Sequence, residues 1–134
     1  MIIELDKQIV QSAYQLYKHT YLLRSTDLGR GKMRLFVDTI FEQTRVILAE
    51  GVVYSLSLSD VDQQDNAFLH YQHFVRQCVN VINSNIYVMK QNTEHYVFDE
   101  TQLQLIARIE KYFQELTQYM DTWSGTNFRR TIFR

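Results

Sequence analysis

No proline occurs in the 134 residues, and only four glycines do, at Gly29, Gly31, Gly51 and Gly125. Both residue types punctuate regular structure, so a chain nearly free of them can run in long helices, with the few glycines marking the expected breaks. Cysteine is scarcer still. Cys78 is alone, which excludes an intrachain disulfide and a thiolate metal cluster; its place in an apolar run reads as a buried thiol in a reducing compartment, with the cytoplasm as the default. An excess of charge of one sign is also missing. Fourteen Lys and Arg against fifteen Asp and Glu leave a net charge of −1, so the chain is not a uniformly basic nucleic-acid binder, although local patches stay open. Glu4, Asp6, Lys7 and Lys18 interrupt the first twenty residues, and a signal peptide or membrane span is therefore not expected there.

What the chain does have is helical apolar rhythm in four segments. With 46% hydrophobic residues, its length suits one domain with a sizeable core. Ile9, Ala13, Leu16, Thr20 and Leu23 follow alternating spacings of four and three, which predicts a first helix over about 5–23 flanked by Tyr14, Tyr17 and Tyr21. After Ser25-Thr26-Asp27 and the two glycines, Met33, Phe36, Ile40 and Ile47 predict a second helix, widened by Val37 and Phe41 and ending near Gly51. A third starts near Ser59 or Asp60, where Ser59 and Asp62 resemble a capping box, and carries Phe68, Tyr71, Val75, Cys78, Ile82 and Met89 to about Gln91 as the longest of the four. Asp99 with Gln102 three residues on is a second capping signature. It opens a fourth helix striped by Leu103, Ile106, Ile109, Phe113, Leu116, Met120 and Trp123, with Gly125 as its cap. The connections are short enough for antiparallel neighbours, so the expected fold class is all-α, an up-and-down antiparallel four-helix bundle. It occupies residues 1–125, followed by a separable basic-aromatic tail at 126–134.

Apolar side chains left over from these stripes raise the question of a second buried face. Leu105, Tyr112 and Tyr119 recur every seven residues, offset from the core stripe, while Tyr87 and Val88 widen the end of the third helix. Two readings stay open: an oligomer interface at Leu105, Tyr112 and Tyr119, or side chains that snorkel at the core edge of a single copy.

The cations are uneven. Arg24, Arg30, Lys32 and Arg34 surround the first turn, and Arg129, Arg130 and Arg134 lie in the tail, together half of the fourteen. Cations at the start of a helix oppose its positive dipole end, so either a carboxylate such as Asp27 or Asp38 compensates or the place suits an anion such as phosphate. In the tail, Phe128 and Phe133 interleave with arginines. That composition suits stacking on bases while phosphates are neutralised, and equally suits aromatics docked on the bundle with solvated arginines.

Catalytic constellations are poor. His70 and His73 share one face of the third helix, but no inward Glu with a His three residues on accompanies them, so they read as structural and no metal or other cofactor is expected. Arg76 has no histidine at the spacing used by helical ribonucleases with an Arg and a His on one helix, and the expectation is that the chain is not an enzyme.

The runs SAYQLYKHTYLL, MRLFVDTIFEQTRVILAEG, NAFLHYQHFVRQCVNVI and TQLQLIARIEKYFQELTQYM, in this order and at these lengths, resemble the four-helix proteins encoded within intervening sequences of bacterial ribosomal RNA genes. They also resemble the related accessory variability determinant proteins of diversity-generating retroelements. The resemblance covers about residues 10–123 and includes Ala49-Glu50-Gly51 at the end of the second helix; the chain departs from the group in being mildly acidic and in lacking a proline between the first two helices. It implies a ring-like homopentamer that contacts a reverse transcriptase and RNA, with Arg30, Lys32 and Arg34 as the matching basic region. Two function classes follow. One is a non-enzymatic oligomeric adaptor that contacts RNA or an acidic protein face through Arg24, Arg30, Lys32, Arg34, Arg129 and Arg130 with Phe128 and Phe133. The other is a small helical chaperone or regulator that covers a hydrophobic or amphipathic segment of a partner protein.

Overall fold

The computed structural model describes residues 4–57, 64–92 and 96–132, with side chains described for residues 7–54, 56, 66–92 and 96–122. They form four helices and, among the described residues, no strand: α1 (Glu4–Arg24), α2 (Met33–Ser57), α3 (Gln64–Gln91) and α4 (Glu100–Ile132). The arrangement is an antiparallel four-helix bundle. Tyr17 stacks on Phe41 between α1 and α2, Tyr54 on Tyr71 between α2 and α3, and His19 on Tyr112 between α1 and α4. Among the described residues, no helix is long and apolar enough to cross a membrane.

The core is the one that the 3.6-residue period dictates. Ile9, Ala13, Leu16, Thr20 and Leu23 are fully buried, and so are Val75, Ile82 and Met89 of α3 and Ile109 and Leu116 of α4. Two threonines enter this apolar interior because each hydroxyl donates to a carbonyl of its own helix, Thr20 to Leu16 at 2.6 Å and Thr44 to Phe41 at 2.7 Å. Their polar atoms therefore enter the core already satisfied.

Five expectations need correction. Gly51 does not end α2, which continues to Ser57. It is buried in the helix interior, where a Cβ would stand 3.4 Å from the Tyr71 hydroxyl of α3 and from Val10 of α1, in ordinary contact with both. Gly125 does not cap α4, which runs on to Ile132 and makes α4, not α3, the longest helix. A lone interior glycine costs only about 1 kcal/mol, too little to stop a helix by itself. Residues 126–132 accordingly continue α4 rather than starting a tail. Leu103 is 54% exposed, whereas Gln102 beside it is 2% exposed. The capping bonds explain the swap. Gln102 Oε1 accepts from the Asp99 N–H and Asp99 Oδ1 from the Gln102 N–H, and the amide then turns inward to the α1–α2 turn, so the next residue faces elsewhere. The capping pair at Ser59 and Asp62 lies outside the described residues, as do the Trp123 side chain and Phe133.

The bundle is not equally closed on its four sides. α1 packs along α2 and α4, and α2 along α3, but the α3 and α4 backbones scarcely approach each other. Lys90 of α3 pairs with Glu110 of α4 across that seam at 3.3 Å. Beside it lies a cavity of about 470 Å³, lined by Phe98, Leu103, Ile106 and Ala107 with Lys111 at its margin.

Candidate functional site

The α1–α2 and α3–α4 turns meet at one end of the bundle. After α1, Thr26 donates to the Leu23 carbonyl, Asp27 Oδ1 accepts from the Gly29 N–H, and Leu28, 1% exposed, plugs the end of the core. Gly29 takes a φ of 71°, a conformation that suits glycine. From the other turn, the Tyr96 hydroxyl donates to the Asp27 carbonyl at 2.6 Å, and Gln102 Nε2 has three acceptors within 3.0 Å: Asp27 O, Thr26 Oγ1 and Tyr96 Oη. The two turns are thus clasped into one platform.

On this platform Arg30 and Lys32 line a hollow of about 510 Å³ together with Gly29, Gly31, Asn92 and Tyr96. Arg34 lies in the first turn of α2, exposed and outside the lining. The first turn of α2 carries no acidic residue, so its partial positive charge adds to that of the cations. Among the described residues, none of Arg30, Lys32 and Arg34 enters an ion pair; the pairs are Arg24 with Asp38, Arg45 with Glu42 and Lys90 with Glu110.

Arg24 differs from its neighbours. Its Nε donates to Asp38 Oδ1 at 2.8 Å and its guanidinium lies over the Phe41 ring at 4.8 Å. Asp38 is thus the compensating carboxylate, and it compensates Arg24 alone, while Asp27 is engaged by the Gly29 N–H. The sequence placed four cations in one cluster; the fold leaves three of them available.

The predicted patch of six cations is not one surface. Gln102, at the start of α4, touches the α1–α2 turn, and α4 then runs antiparallel to α1, so Arg129 and Arg130 lie 27 and 28 residues farther on, roughly 40 Å away at 1.5 Å per residue. Linear sequence cannot show that separation. The side chains of Phe128, Arg129 and Arg130 lie outside the described residues.

Leu105, Tyr112 and Tyr119 are half-buried and pack against the core of their own bundle, with Tyr112 stacked on the buried His19 at 5.2 Å. His70 and His73 are exposed, and both rings meet the edge of Phe74. Asn92 and Tyr96 were not singled out by the sequence. Their signal was faint: a polar and an aromatic residue in a turn acquire meaning only when another turn is set against them. The two glycines around Arg30, which read only as helix punctuation, line the same hollow.

Comparison of the chain with models of known families, with curated proteins and with solved structures finds no match to any of them.

Proposed function

We propose that the protein is a non-enzymatic, oligomeric adaptor of the cytoplasm that contacts RNA through the clasped turns, with Arg30, Lys32 and Arg34 meeting phosphates. The observation that carries this reading is the convergence of three cations without ion-pair partners among the described residues on a helix start that has no acidic residue in its first turn. Exposed cations release condensed counterions when they meet a phosphate backbone, and this is where electrostatic affinity for nucleic acid comes from. The Tyr96 ring beside the hollow adds a surface on which a base can stack. The resemblance to the intervening-sequence and retroelement proteins points the same way, towards an RNA or a nucleic-acid enzyme such as a reverse transcriptase.

The test is the salt dependence of RNA binding, measured by fluorescence anisotropy. Log affinity should fall linearly with log salt, and Arg30→Gln, Lys32→Gln and Arg34→Gln together should reduce the slope by about 2 for a single strand. Arg24→Gln, which removes a cation already paired with Asp38, should leave the slope almost unchanged. A slope indifferent to the triple substitution would remove the turn from consideration.

A second reading, a small helical chaperone or regulator, draws on the open seam between α3 and α4. Its apolar floor of Phe98, Leu103 and Ile106 suits an amphipathic helix laid into a groove. This role requires a protein partner that co-purifies despite nuclease treatment and is lost on Leu103→Glu.

A further inference from the structure

α2 carries two stripes of the same design. The inner one, beginning Met33, Val37, Ile40, Thr44, is buried in the bundle. Two residues farther on, Leu35, Thr39, Glu42, Val46, Ala49 and Val53 repeat the same spacings of four and three, and Leu56 extends them. A shift of two residues is a turn of roughly 200°, so the second stripe lies away from the first, with Thr39 and Val46 half-buried along its edge, Val46 against the bundle's own core, and Leu35, Glu42, Ala49 and Val53 exposed. Leu35, Val53 and Leu56 are 64%, 52% and 72% exposed. α2 is also the most apolar and the least one-sided of the four helices. A helix that is apolar on both sides is ordinarily covered on both sides.

We infer that the outer face of α2 pairs with α2 of a second copy of this chain, antiparallel about a two-fold axis that crosses the outer face at the level of residue 44. In that register Leu35 meets the partner's Val53, Thr39 meets the partner's Ala49 and Glu42 meets the partner's Val46, and each layer recurs by symmetry. Every stripe position from 35 to 53 then faces another stripe position, as an isologous interface requires. Charge selects the direction. Glu42 and Arg45 already form an exposed ion pair at 2.8 Å. The antiparallel axis sets two such pairs side by side with opposite signs facing, whereas a parallel pairing would set Glu42 against Glu42. The inference deepens the oligomeric part of the reading above and does not depend on its RNA part.

Sedimentation velocity on the full chain tests it. The intact protein should show a mass near twice the 16.1 kDa of one chain. Leu35→Glu and Val53→Glu, both at exposed positions, should return it to a monomer with unchanged helical circular dichroism, while Leu103→Glu, on the α3–α4 seam, should leave the dimer intact. Glu42→Arg alone and Arg45→Glu alone should each weaken the dimer about tenfold, and the two together should recover it to within about threefold. A monomeric intact protein, a five-subunit ring, or a dimer indifferent to Leu35→Glu would overturn the inference. RNA binding measured on the Leu35→Glu chain keeps the two proposals apart, since a failed dimer leaves the salt slope of Arg30, Lys32 and Arg34 to be read on its own.

Discussion

Gln102 donates through Nε2 to the carbonyl of Asp27 at 2.9 Å, joining the start of α4 to the end of α1 across 75 positions of chain. The same side chain caps its own helix through the Asp99 N–H. It therefore serves local and tertiary structure at once, in a place where it is 2% exposed. Gln102→Ala removes the cap and the clasp together, while their partners on Thr26, Asp27, Tyr96 and Asp99 are exposed or half-buried and can turn to water, so it is expected to cost about 1–2 kcal/mol. Urea unfolding should show the midpoint falling with the slope unchanged. A loss near zero would mean that water replaces the amide and that the clasp does not hold the platform together.

Two glycine-to-alanine substitutions should act in opposite directions. Gly29→Ala adds a side chain where φ is 71° and is expected to destabilise by about 1 kcal/mol or more. Gly51→Ala adds a methyl within α2 whose nearest neighbours, the Tyr71 hydroxyl and Val10, stand at 3.4 Å, an ordinary contact. It is expected to stabilise by roughly 0.5–1 kcal/mol through helix propensity. Thermal melts of the two variants against the parent decide it, and Gly51→Ala melting below the parent would show that the three helices have no room there.

Burial, and then the charge of Glu50, pushes the Cys78 thiol up from 9.0 to about 11. The fold thus favours the protonated thiol. Below about 9 both states are protonated and the buried thiol's contribution to stability is fully present; as pH rises from 9.0 towards 11 the unfolded chain ionises first and that contribution is lost. Cys78→Ala removes the titration as well as the packing. Its stability deficit against the parent should therefore be largest near neutral pH and shrink through this alkaline window. A deficit constant with pH would show that the thiolate is as well accommodated inside as in water.

Periodicity made the fold legible because burial on a helix repeats every 3.6 residues whatever the helix packs against. Ile9 to Leu23 on α1 and Phe68 to Met89 on α3 needed nothing more, and the Asp99–Gln102 cap could be read because its partners lie three residues apart. Where sequence reading went astray, a tertiary partner had intervened. Gln102 took an inward position because Thr26 and Asp27 wait for its amide, which turned Leu103 outward. Gly51 stays inside α2 because packing against α1 and α3 outweighs a weak local preference. The candidate site was half legible. Arg30, Lys32 and Arg34 stood out by composition, but Arg24 is withdrawn by Asp38, and Asn92 and Tyr96 belong to a turn some sixty residues away.

By itself, the sequence determined that four amphipathic segments would be helices and which face of each would turn inward, because hydrophobic burial and helix geometry act over a few residues. The tertiary structure alone decided that two turns clasp into one cationic platform, that α3 and α4 leave a seam, and that positions 129 and 130 stand far along α4 from that platform. Those outcomes depend on distances between residues far apart in the chain, and such distances are set only when the helices pack.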